Sequence, residues 1–118
     1  EAGLSCQGVD YAAALAHQRA FKRQMASCLE GFDALLTPAA PSAAPQRLDT
    51  TGDPKFNSPW THAGLPTVSI PYGLTAEGMP TALQLVGSAH HESQLLATAL
   101  WCEKVLGFKE APPGGEPV

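Results

Sequence analysis

The side chains in this sequence that could do covalent or metal chemistry are cysteines, histidines, serines and a few carboxylates. A cysteine hydrolase needs a thiolate beside a histidine. Cys6 could meet His17, His62, His90 or His91 in a folded chain, but no local nucleophile signature surrounds it. Serines at 5, 27, 42, 58, 69, 88 and 93 lack the G-x-S-x-G elbow and the other nucleophile contexts of hydrolases. His90-His91-Glu92 resembles a metal corner. Adjacent histidines on a helix, however, point about 100° apart and do not converge on one ion as H-x-x-x-H would. The sequence therefore reads there as a polar helix start. Asp33, Asp49, Asp53 and Glu77 form no visible pair, and there is no Gly-rich phosphate loop. From the residues alone, no catalytic set and no metal site is complete, and no cofactor is implied.

Composition narrows the class. With 118 residues and 44% apolar side chains, the chain fits one domain with a modest core. A net charge of −4 speaks against a nucleic-acid partner, which requires a basic face. No apolar run approaches the roughly 18 residues of a membrane span, and no basic-then-apolar leader opens the chain. The three cysteines are odd in number and lack C-x-x-C spacing, which predicts free thiols in a reducing, cytoplasmic compartment. The opening Glu1-Ala2-Gly3-Leu4, without methionine, reads as an excerpt of a longer protein.

The elements that must position any site follow from periodicity. Tyr11, Leu15, Gln18, Phe21, Met25, Cys28, Leu29 and Phe32 recur at three and four residues, one face of a helix over 10–30. Arg19, Lys22 and Arg23 fall mostly on its other face, read as solvated. Phe32 to Pro38 predicts a short strand near 33–37, its Ala34–Leu36 run suited to cover on both faces. The Pro-rich 39–54 stretch predicts a long loop. Thr67–Ile70, fenced by Pro66 and Pro71, and Thr81–Val86, fenced by Pro80 and Gly87, predict strands near 67–71 and 81–86 joined as a hairpin. Alternation puts Val68 and Ile70 on one face and Leu83 and Leu85 on another. A second helix is expected near 91–106, with Glu92 in its first turn, Lys104 in its last and Gly107 as its stop. Residues 1–9 read as a lead-in, 10–108 as a single α/β unit and 109–118 as a flexible tail.

Four segments in order carry a resemblance. F-D-A-L-L-T-P-A-A-P at 32–41, F-N-S-P-W-T-H-A-G-L-P-T-V-S-I-P-Y-G at 56–73, G-M-P-T-A-L-Q-L-V-G at 78–87 and a Leu-Leu-bearing helix at 91–106 resemble the C-terminal part of the amidase signature family. That resemblance, over roughly residues 10 to 108, implies hydrolysis of carbon–nitrogen amide bonds by the parent enzyme. It implies an α/β fold class: a fragment of the amidase signature fold, with a short mixed sheet and two flanking helices. The family's lysine, its serine in a cis peptide and its nucleophilic serine all lie N-terminal to the matching part. No Gly-Gly-Ser-Ser-Gly-Gly-like run occurs here, and Lys22, Lys55, Lys104 and Lys109 are not in the matching context. The resemblance thus carries no catalytic residue onto this chain.

What it does carry is a pocket segment, in which Asn57, Ser58, Trp60 and Thr61 are expected to bind substrate from a loop entering a strand. Thr61 stands where many members have asparagine. Trp60 is equally suited to anchor a core, and Gln84 is expected to bond a neighbouring loop. The implied partners are a small-molecule amide, the remaining N-terminal part of the amidase and, for the chain alone, other copies of itself. Two other readings stay open, a non-catalytic binding or regulatory module of the same fold and a hydrolase built on Cys6.

Overall fold

The computed structural model describes residues 2–45 and 49–111. Its elements are α1 (Ala2–Ser5), α2 (Gly8–Leu29), β1 (Leu35–Pro38), a single 3-10 turn (Pro54–Phe56), α3 (Ser58–Ala63), β2 (Thr67–Leu74), β3 (Pro80–Val86) and α4 (Glu92–Leu106). The lead-in is helical: α1 precedes α2, and α2 begins at Gly8, before the expected start. Pro112 to Val118, most of the expected tail, lie outside the described residues.

The three strands stand in the order β1-β3-β2. Both pairings are antiparallel, so the sheet is not mixed among the described residues. β3 is central, and β1 and β2 run the same way on either side of it without touching. The hairpin closes through Thr75–Met79, where Gly78 takes a φ of 79° that a side chain would resist. Pro71 does not end β2 as expected. The strand continues to Leu74 across a register shift between Pro71 and Gly73. β2 is an edge strand, where a residue without an N–H is tolerated, and the irregularity sits next to the proline.

Register corrects the expected faces. Val68 stands opposite Leu85, Ile70 opposite Leu83, and Leu36 opposite Leu85. Directly opposed residues share a face of the sheet, so these five apolar side chains lie together rather than on two sides. That face meets α4: Ile70 and Leu85 form the core with Leu95 and Ala99, and Val68, Ala34 and Cys102 pack around it. Thr37, Gln84 and Ser69 stand in one cross-strand row on the other face, toward α3. α2 packs on α3, giving a layer order of α4, sheet, then α3 with α2.

Burial is sparse. The buried apolar residues are Leu29, Ala63, Ile70, Leu85, Val86, Leu95 and Ala99. Leu36 is 58% exposed, so β1 is not covered on both faces among the described residues. Helix α2 follows its predicted face only in part: Leu29 is buried, Leu15, Gln18, Phe21 and Met25 are half-buried, and Tyr11, Cys28 and the following Phe32 are exposed. The radius of gyration is 17.5 Å, against about 13–14 Å for a compact domain of this length. No helix among the described residues is long and apolar enough to cross a membrane.

Candidate functional site

The segment expected as a loop before β2 is a helix. Ser58–Ala63 forms α3, with Pro59 in its first turn and Gly64 closing it in the left-handed region at φ 70°. Proline there gives up an N–H that has no partner in a helix, and glycine takes the closing conformation without a Cβ penalty. Leu65 N–H donates to the Trp60 carbonyl at 3.0 Å, turning the chain into β2.

The two sides of α3 face different environments. Trp60 turns to the sheet, where its indole Nε1 donates to Gln84 Oε1 at 3.0 Å. Thr37 Oγ1 donates to the same oxygen at 3.3 Å. Gln84 Nε2 donates to Asn57 Oδ1 at 2.8 Å, and Asn57 Nδ2 donates to the Ala39 carbonyl at 3.4 Å. An indole N–H can only donate and a backbone carbonyl can only accept. The two ends of this chain of bonds therefore fix the direction of both amides between them. Gln84 is buried at 4% exposure, and an amide left unpaired there would cost about 1–3 kcal/mol. Its bonds run to the segment that opens α3, to α3 itself and to β1.

The other side of α3 forms a wall of an open cleft of about 700 Å³. Asn57, Ser58, Pro59, Thr61 and His62 contribute from α3 and its N-cap, His17 and Phe21 from α2, and Pro54 from the 3-10 turn. The volume is in the range of small-molecule sites, roughly 300–1,000 Å³. The rings of His17, Phe21 and His62 lie 6.0–6.4 Å apart, and Gln18 Nε2 donates to the His62 carbonyl at 2.9 Å. These contacts hold α2 against α3. The predicted group is thus divided. Ser58 and Thr61 are exposed on the cleft, Asn57 lines it while its amide is engaged with Gln84 and Ala39, and Trp60 does not line it.

Sequence reasoning did not pick out the cleft's other wall. Phe21 was visible only as a member of the α2 pattern and His17 only as a possible partner of Cys6, and their four-residue spacing could have paired them. The remaining chemistry candidates do not converge among the described residues. The Cys6 thiol, exposed, meets the Gln7 carbonyl at 3.6 Å and not an imidazole. No group of three or more His, Cys, Asp or Glu that could hold a metal occurs among them.

Comparison with known proteins gives one consistent result. The sequence model described as Amidase matches residues 4–96. The A-type subunit of glutamyl-tRNA(Gln) amidotransferase from Parvibaculum lavamentivorans is 41% identical over 97 residues, covering 76% of this chain and 20% of that protein. The crystal structure of an amidase superposes with a TM-score of 0.78 at 34% identity, covering 90% of this chain and 27% of its own. The corresponding amidotransferase protein from Thermotoga maritima superposes with a TM-score of 0.72 at 26% identity, covering 85% and 23%. The chain spans about a fifth of the length of the curated relatives it matches.

Proposed function

The chain belongs to the amidase family, and we propose that it forms the C-terminal part of an amidase signature hydrolase. In this reading it supplies three strands of a larger sheet and one wall of the pocket in which a small-molecule amide is hydrolysed in the cytoplasm. The nucleophilic serine, its partner serine and the lysine are supplied by the part of the enzyme N-terminal to this sequence.

The observation that carries this reading is the uncovered apolar surface. Leu96, Leu100, Trp101 and Val105 are exposed on α4, with Leu36 on the sheet and Val9 and Tyr11 on α2. A folded monomer rarely leaves so much large apolar side chain in contact with water. The rest of an amidase would cover these faces, and the relatives are about five times longer than the match. Within such an enzyme the cleft beside α3 becomes the pocket wall, with the Ser58 and Thr61 hydroxyls as the polar groups that orient the amide.

The test is ammonia release from simple amides by the chain alone and by the chain together with the coding sequence upstream of Glu1. Turnover by the longer protein only, with a Gly/Ser-rich signature in the added part, is the expected result. A start codon just upstream of Glu1 would instead support a separate binding module. Turnover by the chain alone that disappears in Cys6→Ala would establish a cysteine hydrolase.

A further inference from the structure

Gln84 lies in the middle of β3 with its side chain buried, and it contributes nothing to the cleft lining. Helix α3 has six residues, too few to be stable through its own hydrogen bonds. Its setting against the sheet must therefore come from tertiary contacts. Two side-chain bonds reach this segment from Gln84, one from the Trp60 indole and one to Asn57 at the N-cap. The Trp60 bond lies on the side of α3 turned to the sheet, away from Ser58, Thr61 and His62, and the Asn57 bond holds the N-cap residue that itself lines the cleft. The third bond of Gln84 goes to Thr37 on β1, away from the helix.

We propose that Gln84 is the positioning residue of this cleft: its amide sets the rotation of α3 about its axis and so aims the Ser58 and Thr61 hydroxyls at the ligand. The inference rests on the reading of the cleft as an amide pocket. Geometry supplies the leverage. Side chains stand about 5–6 Å from a helix axis, so a rotation of about 20° carries a hydroxyl about 2 Å. That displacement exceeds the tolerance of a hydrogen bond made at about 2.7–3.0 Å. Because the indole and the Ala39 carbonyl dictate which way each amide points, the setting has one solution. A side chain of similar length without both a donor and an acceptor cannot reproduce it.

The experiment compares kcat/KM for lactamide with that for propanamide, two amides that differ by one hydroxyl, in the intact amidase that contains this sequence. Gln84→Met and Trp60→Phe should each lower the lactamide preference by about fivefold or more. Thr37→Val, which removes the bond leading away from α3, should leave it within about twofold while lowering the melting temperature. In the ¹⁵N-labelled chain the Trp60 indole N–H resonance should shift upfield in Gln84→Met, with that of Trp101 unmoved.

The proposal is overturned if Gln84→Met and Trp60→Phe keep the preference while Thr61→Val lowers it, because the pocket would then stand without the hub. If Thr61→Val and Ser58→Ala also leave the preference unmoved, the cleft does not receive the amide, and the pocket reading falls with the inference. Should Gln84→Met fail to fold, Trp60→Phe, which keeps a ring in place, decides alone.

Discussion

The indole of Trp60 and the side-chain amide of Gln84 meet at 3.0 Å, joining a helix of one and a half turns to the central strand of the sheet. Trp60 is half-buried and Gln84 fully buried, so the bond is made where water competes poorly for either partner. Removing it should be distinguishable from removing the ring. In Trp60→Phe, Gln84 Oε1 keeps the Thr37 hydroxyl, so the loss should be about 0.5–1.5 kcal/mol. Trp60→Ala also removes packing and should cost about 3–5 kcal/mol. Urea unfolding of both variants measures the difference, and a Trp60→Phe variant as stable as the parent would mean that the indole N–H contributes nothing.

Gly87 ends β3 against the first buried leucine of α4. A Cβ added there would lie 3.1 Å from Leu95 Cβ and 3.2 Å from its Cδ2. Leu95 is 2% exposed and has nowhere to retreat. Gly87→Ala should therefore destabilise by about 1–3 kcal/mol through overpacking. Thermal unfolding checks this, and a melting temperature within a degree of the parent's would show that the α4 contact can yield.

Much of this packing was legible in the sequence, and the parts that were not have physical reasons. Proline and glycine fences located β2 and β3 because proline is confined to strand ends and edges. They misled at Pro71 because an edge strand accepts a proline inside it. The shared face of Val68, Ile70, Leu83 and Leu85 could not be read from alternation, which assigns faces within one strand. Only the register of the pair relates two strands. Helix α3 carried both of its end signals, Pro59 and Gly64, yet was too short for an apolar period to appear. Gln84 was expected to bond a neighbouring loop, and it bonds Asn57, which opens α3, and Trp60 within it. The exposure of Leu36 has another origin: a two-sided apolar run is legible, but its outer cover is not among the described residues.

The Glu77 carboxyl in the β2–β3 turn should titrate below its ordinary value of 4.5, chiefly because of hydrogen bonding with the Thr75 side chain and secondarily because of its own backbone N–H. A depressed folded-state pKa means that the associated stability is present above the unfolded value and is lost as the pH falls through the folded one. The turn should therefore loosen only on the acid side of 4.5. An NMR titration of Glu77 measures its midpoint, which should return toward the ordinary value in Thr75→Ala. A midpoint unchanged by that substitution would remove Thr75 as the cause.

The exposed apolar face of α4 should make the isolated chain self-associate. Leu96, Leu100, Trp101 and Val105 are each more than half exposed, and both outer strands of the sheet present edges that can pair with another copy. Light scattering should find dimers or larger assemblies, and Leu96→Glu combined with Leu100→Lys should shift them toward monomer. A clean monomer at high concentration would count against the uncovered surface being adhesive.

Thr61 offers the most direct test of the pocket wall. Its side chain is exposed on the cleft, one residue along from Trp60, which faces the sheet. Thr61→Val keeps the shape and removes the hydroxyl. If that hydroxyl bonds a polar group of the amide, its loss should lower kcat/KM for a polar amide by an amount corresponding to about 1–3 kcal/mol, with little effect on an aliphatic one. Stability should barely change, because an exposed threonine side chain contributes little to the core. Trp60→Ala removes both the packing of the ring and the bond to Gln84, so it should differ from Thr61→Val by adding a large fall in melting temperature to its loss of preference. The measurement is kcat/KM for polar and apolar amides, beside the melting temperature, of the longer enzyme proposed to contain this sequence. A Thr61→Val variant that melts earlier yet keeps its substrate preference would make Thr61 a structural residue of α3 and move the pocket elsewhere.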